Sequence, residues 1–307
     1  VALRKAGIGL PLLVLSPGRG DAERLVRHRL TPVIHSAYGL GELEEAAARV
    51  GRPVAVHLKV DTGMGRYGFF PEEVLPVARR VARSAHLGLE GLMTHFAAAE
   101  DPAEDDFTRG QLTAFQGVVD GLREAGIQVP TRHAAATAAA LRFPEARFEM
   151  VRVGLGLYGI SPSSACAEVL ALDCAVAAVS RISSIKTFPP GHSIGYGRRY
   201  QVGARPERVA FIPCGYHDAM WRDLYQGGGE VMVRGVRCPI LGTVSMDSAP
   251  INVTAVPEAD VGDDVLLFGA WQGQFLPPEE VAAKAGTVAH ELLSGVGPRV
   301  PRIYQEG

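Results

Sequence analysis

The sequence predicts an α/β fold in its first half and a mainly antiparallel β domain in its second half. Up to about residue 160, short apolar runs alternate with segments of helical periodicity. Beyond residue 170, apolar runs are separated by Gly, Pro and Asp and show little helical periodicity. Strands that are apolar at consecutive positions, with helices between them, indicate a parallel sheet covered on both faces.

The first half is expected to contain six strands. They lie in LPLLVLSP, TPVIHS, PVAVHLKV, LGLEGLMTHF, TRHAAA and EMVRVGLGLYG, with helices in DAERLVRHRL, LGELEEAAARV, PEEVLPVARRVARSA, DFTRGQLTAFQGVVDGLREAG and TAAALRF. Six such units indicate an open doubly wound sheet or an incomplete barrel, because a closed (β/α)8 barrel has eight strands.

The second half is expected to form its strands in AVAAVSRISSIKTF, RVAFIPCGY, EVMVRGVRCPILGTVSM and DDVLLFG. A single helix near PPEEVAAKAGTVAHELL closes this domain. We place the boundary in GISPSSACAEVL, which predicts two domains, residues 1–165 and 166–307.

Composition points to small-molecule partners. The 307 residues are 47% hydrophobic and 21% charged, with a net charge of −2 and no clustered basic run, so neither nucleic acid nor a membrane is an expected partner. No stretch reaches the ~20 apolar residues of a membrane span. The apolar run after Lys5 reads as a strand rather than a signal peptide, and four scattered cysteines without metal spacing suit reduced thiols in the cytoplasm.

Polar side chains follow the predicted strands where each strand ends. They are His35, Lys59, Arg66, Thr94, His95, His133 and Arg152. The carboxyl ends of parallel strands meet at one edge, which is where the chemistry of such folds gathers. The stretch DTGMGRYG lacks the GK[ST] of a P-loop, so its glycines predict a bend at a strand exit rather than a phosphate cradle.

Seven ordered motifs carry a family resemblance. HLKVDTGMGRYGF, MTHFA, MVRVGLGLYG, IGYGRRY, GYHD, GTVSMD and RVPRIY resemble, over residues 1–303, the bacterial alanine racemases. The resemblance implies pyridoxal 5′-phosphate (PLP) as cofactor, alanine as substrate, D-alanine supplied for peptidoglycan, and a homodimer that shares its active sites. It also implies a (β/α)8 barrel, here without its first two βα units, followed by a β domain.

The resemblance assigns the proton chemistry to four residues. Tyr196 matches the base that serves one face of the substrate in the partner protomer's site, and His95 matches the histidine that supports it. Arg152 matches the arginine facing the pyridine nitrogen of PLP, and His133 a histidine that hydrogen-bonds near this arginine. A charged guanidinium leaves that nitrogen unprotonated, which weakens the ring as an electron sink and favours racemisation over transamination.

Other implied roles concern binding. Arg66 matches an arginine that contacts the phenolic oxygen of PLP and the substrate carboxylate, and Lys59 a lysine that relatives can carry as a carbamate. Tyr216 matches a residue that narrows the substrate entrance, and the backbone of Met246 one that meets the substrate carboxylate. The implied phosphate ligands are Thr137, Gly154 and Leu155.

The motifs also depart from the family pattern. Ala136 and Thr137 replace an Asn-Ser pair, and Pro298 stands where some members carry a phosphate-binding tyrosine. The lysines are Lys5, Lys59, Lys186 and Lys284, and none matches the Schiff-base lysine that is also the second base. We expect that lysine in a segment of roughly 60 to 70 residues before Val1, at ~30 residues per βα unit.

These departures leave three functional hypotheses open. The first is that the protein is an alanine racemase whose 307 residues alone are nearly inactive. The second is a PLP-binding or interaction protein without racemase activity. The third is a racemase for another amino acid such as serine or lysine.

Overall fold

The computed structural model describes residues 1–305 of the chain. These residues divide into two compact units. The α/β unit comprises Val1–Gly154 and Ser163–Leu170, and the β unit comprises Leu155–Pro162 and the chain from Ala171 onward.

The α/β unit contains one parallel sheet of five strands in the order β1-β2-β3-β4-β5. Its strands are β1 (Leu13–Val14), β2 (Thr31–Ile34), β3 (Val54–Lys59), β4 (Leu87–Met93) and β5 (Thr131–His133), and its helices are α1 (Ala2–Lys5), α2 (Ala22–Arg27), α3 (Ala37–Val50), α4 (Pro71–Arg83), α5 (Asp105–Glu124), α6 (Thr137–Arg142) and α7 (Ser164–Val169). The apolar opening run, read as a strand from the sequence, pairs in this sheet with β2. All five strands run in the same direction, so their carboxyl ends share one edge.

Local sequence signals set the ends of the longer helices. Ser36 caps α3 by accepting a hydrogen bond from the Gly39 amide at 3.2 Å, and Gly51 ends the helix with a left-handed φ of 70°. At the start of α4 the Glu73 carboxylate accepts from the Phe70 amide at 2.7 Å. The buried sides of these helices pack with the strands in one hydrophobic core that includes Leu40, Leu43, Val74, Phe115, Leu58 and Leu92.

The sixth strand predicted in EMVRVGLGLYG is wrong. This segment makes one isolated bridge, between Arg152 and Ala136, and the Arg152 amide donates to Ala135 O at 3.0 Å. Val151 and Val153, apolar residues of the predicted strand, are 38% and 39% exposed. The chain turns into a 3₁₀-helix at Leu155–Tyr158, so the ladder does not extend beyond Arg152.

The β unit contains three antiparallel sheets. Their orders are β13-β10-β7, β12-β11-β14-β15 with β6 pairing β14, and the two-stranded β8-β9. The strands are β6 (Ala177–Arg181), β7 (Ser184–Phe188), β8 (Ser193–Ile194), β9 (Tyr200–Gln201), β10 (Glu207–Ile212), β11 (Glu230–Val233), β12 (Val236–Pro239), β13 (Ala249–Asn252), β14 (Asp264–Trp271) and β15 (Gln274–Leu276). The four predicted β segments all contain strands, whereas β8, β9, β13 and β15 were not predicted.

The single closing helix predicted for the β unit is also wrong, because two helices form there. They are α8 (Pro278–Lys284) and α9 (Ala289–Ser294). Gly286, with a φ of 71°, interrupts the helical periodicity between them. Among the described residues, no helix has the length and apolar character needed to cross a bilayer.

Candidate cofactor site and catalytic residues

The polar residues at the strand ends lie together in the α/β unit, as the sequence pattern predicts. Lys59 ends β3, His133 ends β5, and Thr94 and His95 follow β4 directly. Arg152 joins them because its bridge to Ala136 places it beside the exit of β5. The carboxyl edge of the parallel sheet therefore carries a concentrated set of cationic and imidazole groups.

Arg152 is the centre of this set. Its Nη1 donates to His133 Nδ1 at 2.8 Å, and its Nη2 donates to the carbonyl oxygens of Thr94 at 2.9 Å and Ala134 at 2.8 Å. Burial lowers the pKa of Arg152 to about 10, which still leaves the guanidinium charged at neutral pH. Two strand exits thus hold one charged side chain in a fixed orientation.

A second histidine continues the chain of contacts from Arg152. His133 Nε2 lies 2.7 Å from His57 Nδ1. A guanidinium can only donate, so His133 Nδ1 accepts, and its proton sits on Nε2 and is donated to His57. Burial, and secondarily the charge of Arg152, lowers the pKa of His133 to about 3, and burial lowers that of His57 to about 4. Both rings are therefore neutral, with defined tautomers.

His95 occupies the other side of Arg152. Its Nδ1 lies 3.1 Å from Arg152 Nη2 and must accept, which puts the proton of the neutral ring on Nε2. Burial first, and then the charges of Arg152, Arg66 and Lys59, lower the pKa of His95 to about 4. The half-buried ring consequently offers an N–H donor rather than a cation.

The glycine-rich stretch after β3 forms a bend that folds around Asp61. The Asp61 carboxylate accepts from the amides of Gly63 at 3.0 Å, Gly65 at 3.1 Å and Arg66 at 3.2 Å. Gly68, with a φ of 135°, is required by close approach, since a Cβ there would lie 2.7 Å from the Asp61 nitrogen. The bend places Arg66 near Lys59, and the stretch forms a bend at a strand exit, as its glycines predict.

Lys59 shows the electrostatic character of the edge. Its side chain is buried, and its pKa is lowered by burial first and then by the neighbouring Arg66 and Arg152 charges, with Asp61 opposing. Asp61 already accepts three backbone amides. Positive charge is thus in excess at this edge, and an anionic group would be stabilised there.

The predicted phosphate ligands lie on either side of a unit boundary. Thr137 begins α6, is 7% exposed, and its Oγ1 accepts from the Gly154 amide at 3.2 Å. Gly154 ends the first segment of the α/β unit, and Leu155 is a buried residue of the β unit. The structure therefore brings Thr137 and Gly154 together within a single unit.

The remaining predicted site residues belong to the β unit and are exposed. Tyr196 is 71% exposed and lies in the turn between β8 and β9, where Gly195 and Gly197 have φ values of 73° and 69°. Tyr216 is 42% exposed and Met246 52%. The Tyr216 amide donates to Ser245 O at 3.0 Å, so the loops of Tyr216 and Met246 are neighbours.

Sequence reasoning missed His57. The histidine precedes Lys59 by two positions in β3, and a period of two places both on the same face of a strand, so that spacing could have signalled it. It also missed Gly91, whose absent side chain makes room for the His57 ring, and Gln111, whose Oε1 accepts from the Ala97 amide at 3.0 Å behind His95. Gln111 comes from α5, 16 residues after His95, and lies in none of the strand motifs.

Two family models match the chain, one in each part. Residues 1–162 match the N-terminal domain of alanine racemase, and residues 175–304 match its C-terminal domain. The chain belongs to the alanine racemase family. This confirms the predicted family and the predicted class of fold, a (β/α) barrel type followed by a β domain.

Named relatives and solved structures agree with this membership. The chain is 39% identical to alanine racemases of Desulfovibrio desulfuricans, over 99% of the chain and 81% of the relative, and of Symbiobacterium thermophilum, over 99% and 80%. The alanine racemase structure from Streptomyces lavendulae matches with a TM-score of 0.92 at 31% identity, covering 100% of this chain and 81% of that chain. The Clostridium difficile enzyme matches with a TM-score of 0.91 at 32% identity, covering 99% and 78%.

Alanine racemases are PLP-dependent, and the residues present fit this cofactor. PLP carries a phosphate and a phenolic oxygen, both of which require donors or positive charge. The edge around Arg152 has an excess of positive charge, supplied by Lys59, Arg66 and Arg152. Thr137 and Gly154 add a hydroxyl and an amide beside it.

Proposed function

We propose that the protein is an alanine racemase that interconverts L- and D-alanine and supplies D-alanine for peptidoglycan in the cytoplasm. The observation that carries the proposal is the cationic edge, in which neutral His133 and His95 both accept hydrogen bonds from Arg152. When bound, PLP withdraws electrons from the α-carbon of an amino acid and so makes its α-proton removable.

Arg152 sets the strength of that electron withdrawal. With a pKa lowered by burial only to about 10, it remains a proton donor in hydrogen bonding and does not give up its charge. With PLP bound, Arg152 would be the residue that holds the pyridine nitrogen, and as a donor that keeps its charge it would leave that nitrogen without a proton of its own. The ring would then be a weaker electron sink, which favours racemisation over transamination.

Tyr196 is the proposed base for one face of the substrate. A phenol with an ordinary pKa near 10 is a weak base unless a polarised neighbour supports its ionised form. The N–H of His95 Nε2 is the proposed neighbour, within a homodimer in which the tyrosine of one protomer serves the site of the other. The exposure of Tyr196 in its turn suits a residue that reaches a second copy.

Arg66, Lys59 and the phosphate ligands complete the proposed site. Arg66 would contact the phenolic oxygen of PLP and the substrate carboxylate, while Thr137, Gly154 and Leu155 would hold the phosphate. Lys59 as a carbamate would replace one positive charge by a negative one next to Arg66. The repulsion between two unmodified cations near 4 Å apart would cost roughly 1 to 4 kcal/mol. A carbamate on Lys59 would attract Arg66 instead.

The second base is not among the lysines that we can assign. Lys5 ends α1, Lys59 belongs to the cationic edge, and Lys186 and Lys284 lie in the β unit, where Lys284 pairs with Glu230 at 2.7 Å. We therefore propose that the 307 residues alone racemise alanine very slowly. Losing a general base costs ~10² to 10⁴-fold in rate.

The test compares two proteins supplied with PLP. One is the 307-residue chain, and the other is the same chain fused behind the lysine-bearing first strands of a relative. We expect racemisation of alanine only from the fusion, and a further loss of at least ~10²-fold when Tyr196→Phe is introduced into it. Ordinary activity of the chain alone would contradict the assignment of the lysines.

The alternatives give different results in the same assay. A PLP-binding or interaction protein would bind PLP but leave alanine unchanged even in the fusion. A racemase for another amino acid would process serine or lysine faster than alanine. Because alanine is the substrate named for the relatives, alanine racemisation is the outcome that we expect.

A further inference from the structure

Two loops of the β unit carry the proposed substrate-contacting residues Tyr216 and Met246. We call residues 214–218 and 245–248 the entrance loops. The Tyr216 amide donates to Ser245 O at 3.0 Å, and the His217 amide donates to Met246 O at 3.1 Å. These two bonds join the two loops directly on either side of the Tyr216 Cα.

The loops approach so closely that only glycine fits between them. A Cβ on Gly215 would lie 2.2 Å from Ser245 O and 2.3 Å from Met246 O. A third segment, near the end of the chain, approaches in the same way, since a Cβ on Gly297 would lie 2.2 Å from His217 O.

An ion triad ties the three segments together. Arg299 Nε donates to Asp218 Oδ1 at 2.5 Å and its Nη2 to Asp218 Oδ2 at 3.1 Å, while Nη2 also donates to Asp247 Oδ1. Asp218, 6% exposed, turns its Oδ2 to the Gly215 amide at 2.9 Å as well. Arg299 therefore binds one carboxylate from each entrance loop. Asp218 also accepts a hydrogen bond from Gly215 and so links Arg299 to the start of its own loop.

We propose that Arg299 and Asp218 are positioning residues that set the separation of Tyr216 and Met246 and thereby the size of the substrate entrance. This inference rests on the proposed function for its link to substrate. A planar guanidinium that donates to two carboxylates in fixed directions suits this task better than a lysine, whose ammonium is a point charge. Arg299 directly follows Pro298, the position at which the family pattern is broken.

The test measures amide hydrogen exchange at Tyr216 and His217 in the 307-residue protein. In Arg299→Gln we expect exchange at both amides to accelerate by at least ~10-fold, with Arg299→Lys intermediate, because the loops open locally when their tie is lost. The matched control is Arg234→Gln, which breaks another bidentate pair in the same unit, at 2.7 and 2.8 Å to Asp263. The control should leave the two amides unchanged.

The link to substrate is measured in the fusion with the lysine-bearing strands. We expect Arg299→Gln to raise KM for alanine by at least ~3-fold with kcat within ~2-fold, since binding rather than chemistry depends on the entrance. Equal exchange in Arg299→Gln and Arg234→Gln would overturn the proposal, and so would accelerated exchange with an unchanged KM. A fusion without racemase activity would overturn the proposed function instead, while the exchange result would still decide whether Arg299 holds the loops.

Discussion

The substitution Gly91→Ala tests the His57–His133–Arg152 hydrogen bonds, because the added methyl group would displace the His57 ring. Gly91 lies in β4, and a Cβ there would meet the His57 ring at 2.2 Å from Nδ1 and 2.4 Å from Cε1. Ordinary contacts are near 3.5 Å, so the ring must move by about 1 Å, which breaks its 2.7 Å hydrogen bond to His133. Overpacking costs about 1–3 kcal/mol and an unpaired buried polar group about 1–3 kcal/mol, so we expect a loss of about 2–6 kcal/mol in the free energy of unfolding.

The same strand offers a matched control. Gly88 has no atom within 4 Å of a built Cβ, so Gly88→Ala should change the free energy of unfolding by less than ~1 kcal/mol. Urea denaturation followed by circular dichroism measures both variants. In a His57→Ala background the overlap disappears, and Gly91→Ala should then cost less than ~1 kcal/mol. Equal effects of Gly91→Ala with and without His57, or equal effects of the two glycine substitutions, would refute the reasoning.

Two further predictions concern ionisation. His57 and His133 keep pKa values of about 4 and 3 in the folded protein, whereas unfolded histidines titrate near 6.5. The unfolded state therefore binds protons first as the pH falls from about 7 to 4, so the free energy of unfolding should decrease over that range. The decrease should be less steep in His133→Asn. A urea midpoint that does not change with pH would contradict this prediction. Burial and Arg66 lower the pKa of Lys59, which favours the neutral amine that reacts with CO₂, so ¹³C-bicarbonate should give a carbamate NMR signal that Lys59→Gln lacks.

The alternation of strands and helices was predictable because apolar runs and amphipathic periods are local properties of the chain. The sixth strand was wrongly predicted, since EMVRVGLGLYG has the apolar residues of a strand but Arg152 makes only one bridge. Strand pairing depends on a neighbour that periodicity does not describe. The two helices at the end of the β unit were merged for a related reason, because the glycine that separates them is tolerated in many helical patterns.

In the candidate site, too, the positions of residues along the strands were predictable and their contacts with distant residues were not. Lys59, His133 and Arg152 could be placed at one edge, because parallel strands put their carboxyl ends together. Their hydrogen bonds could not be predicted, since the contact between His57 and His133 joins positions 76 residues apart. The ion triad of Arg299 likewise joins segments 81 and 52 residues apart, and charge pairing over such separations leaves no local pattern.

The most direct test of the central claim is a calorimetric titration of the 307-residue chain with PLP and with pyridoxal, which lacks the phosphate. We expect PLP to bind to one site per chain and pyridoxal to bind at least ~10-fold more weakly. Arg66→Gln and Thr137→Val should each weaken PLP binding by a factor of about 10, as expected for one charge-assisted hydrogen bond. Equal binding of the two compounds, or PLP binding that is unaffected by both substitutions, would contradict the claim that this edge of the sheet is the cofactor site.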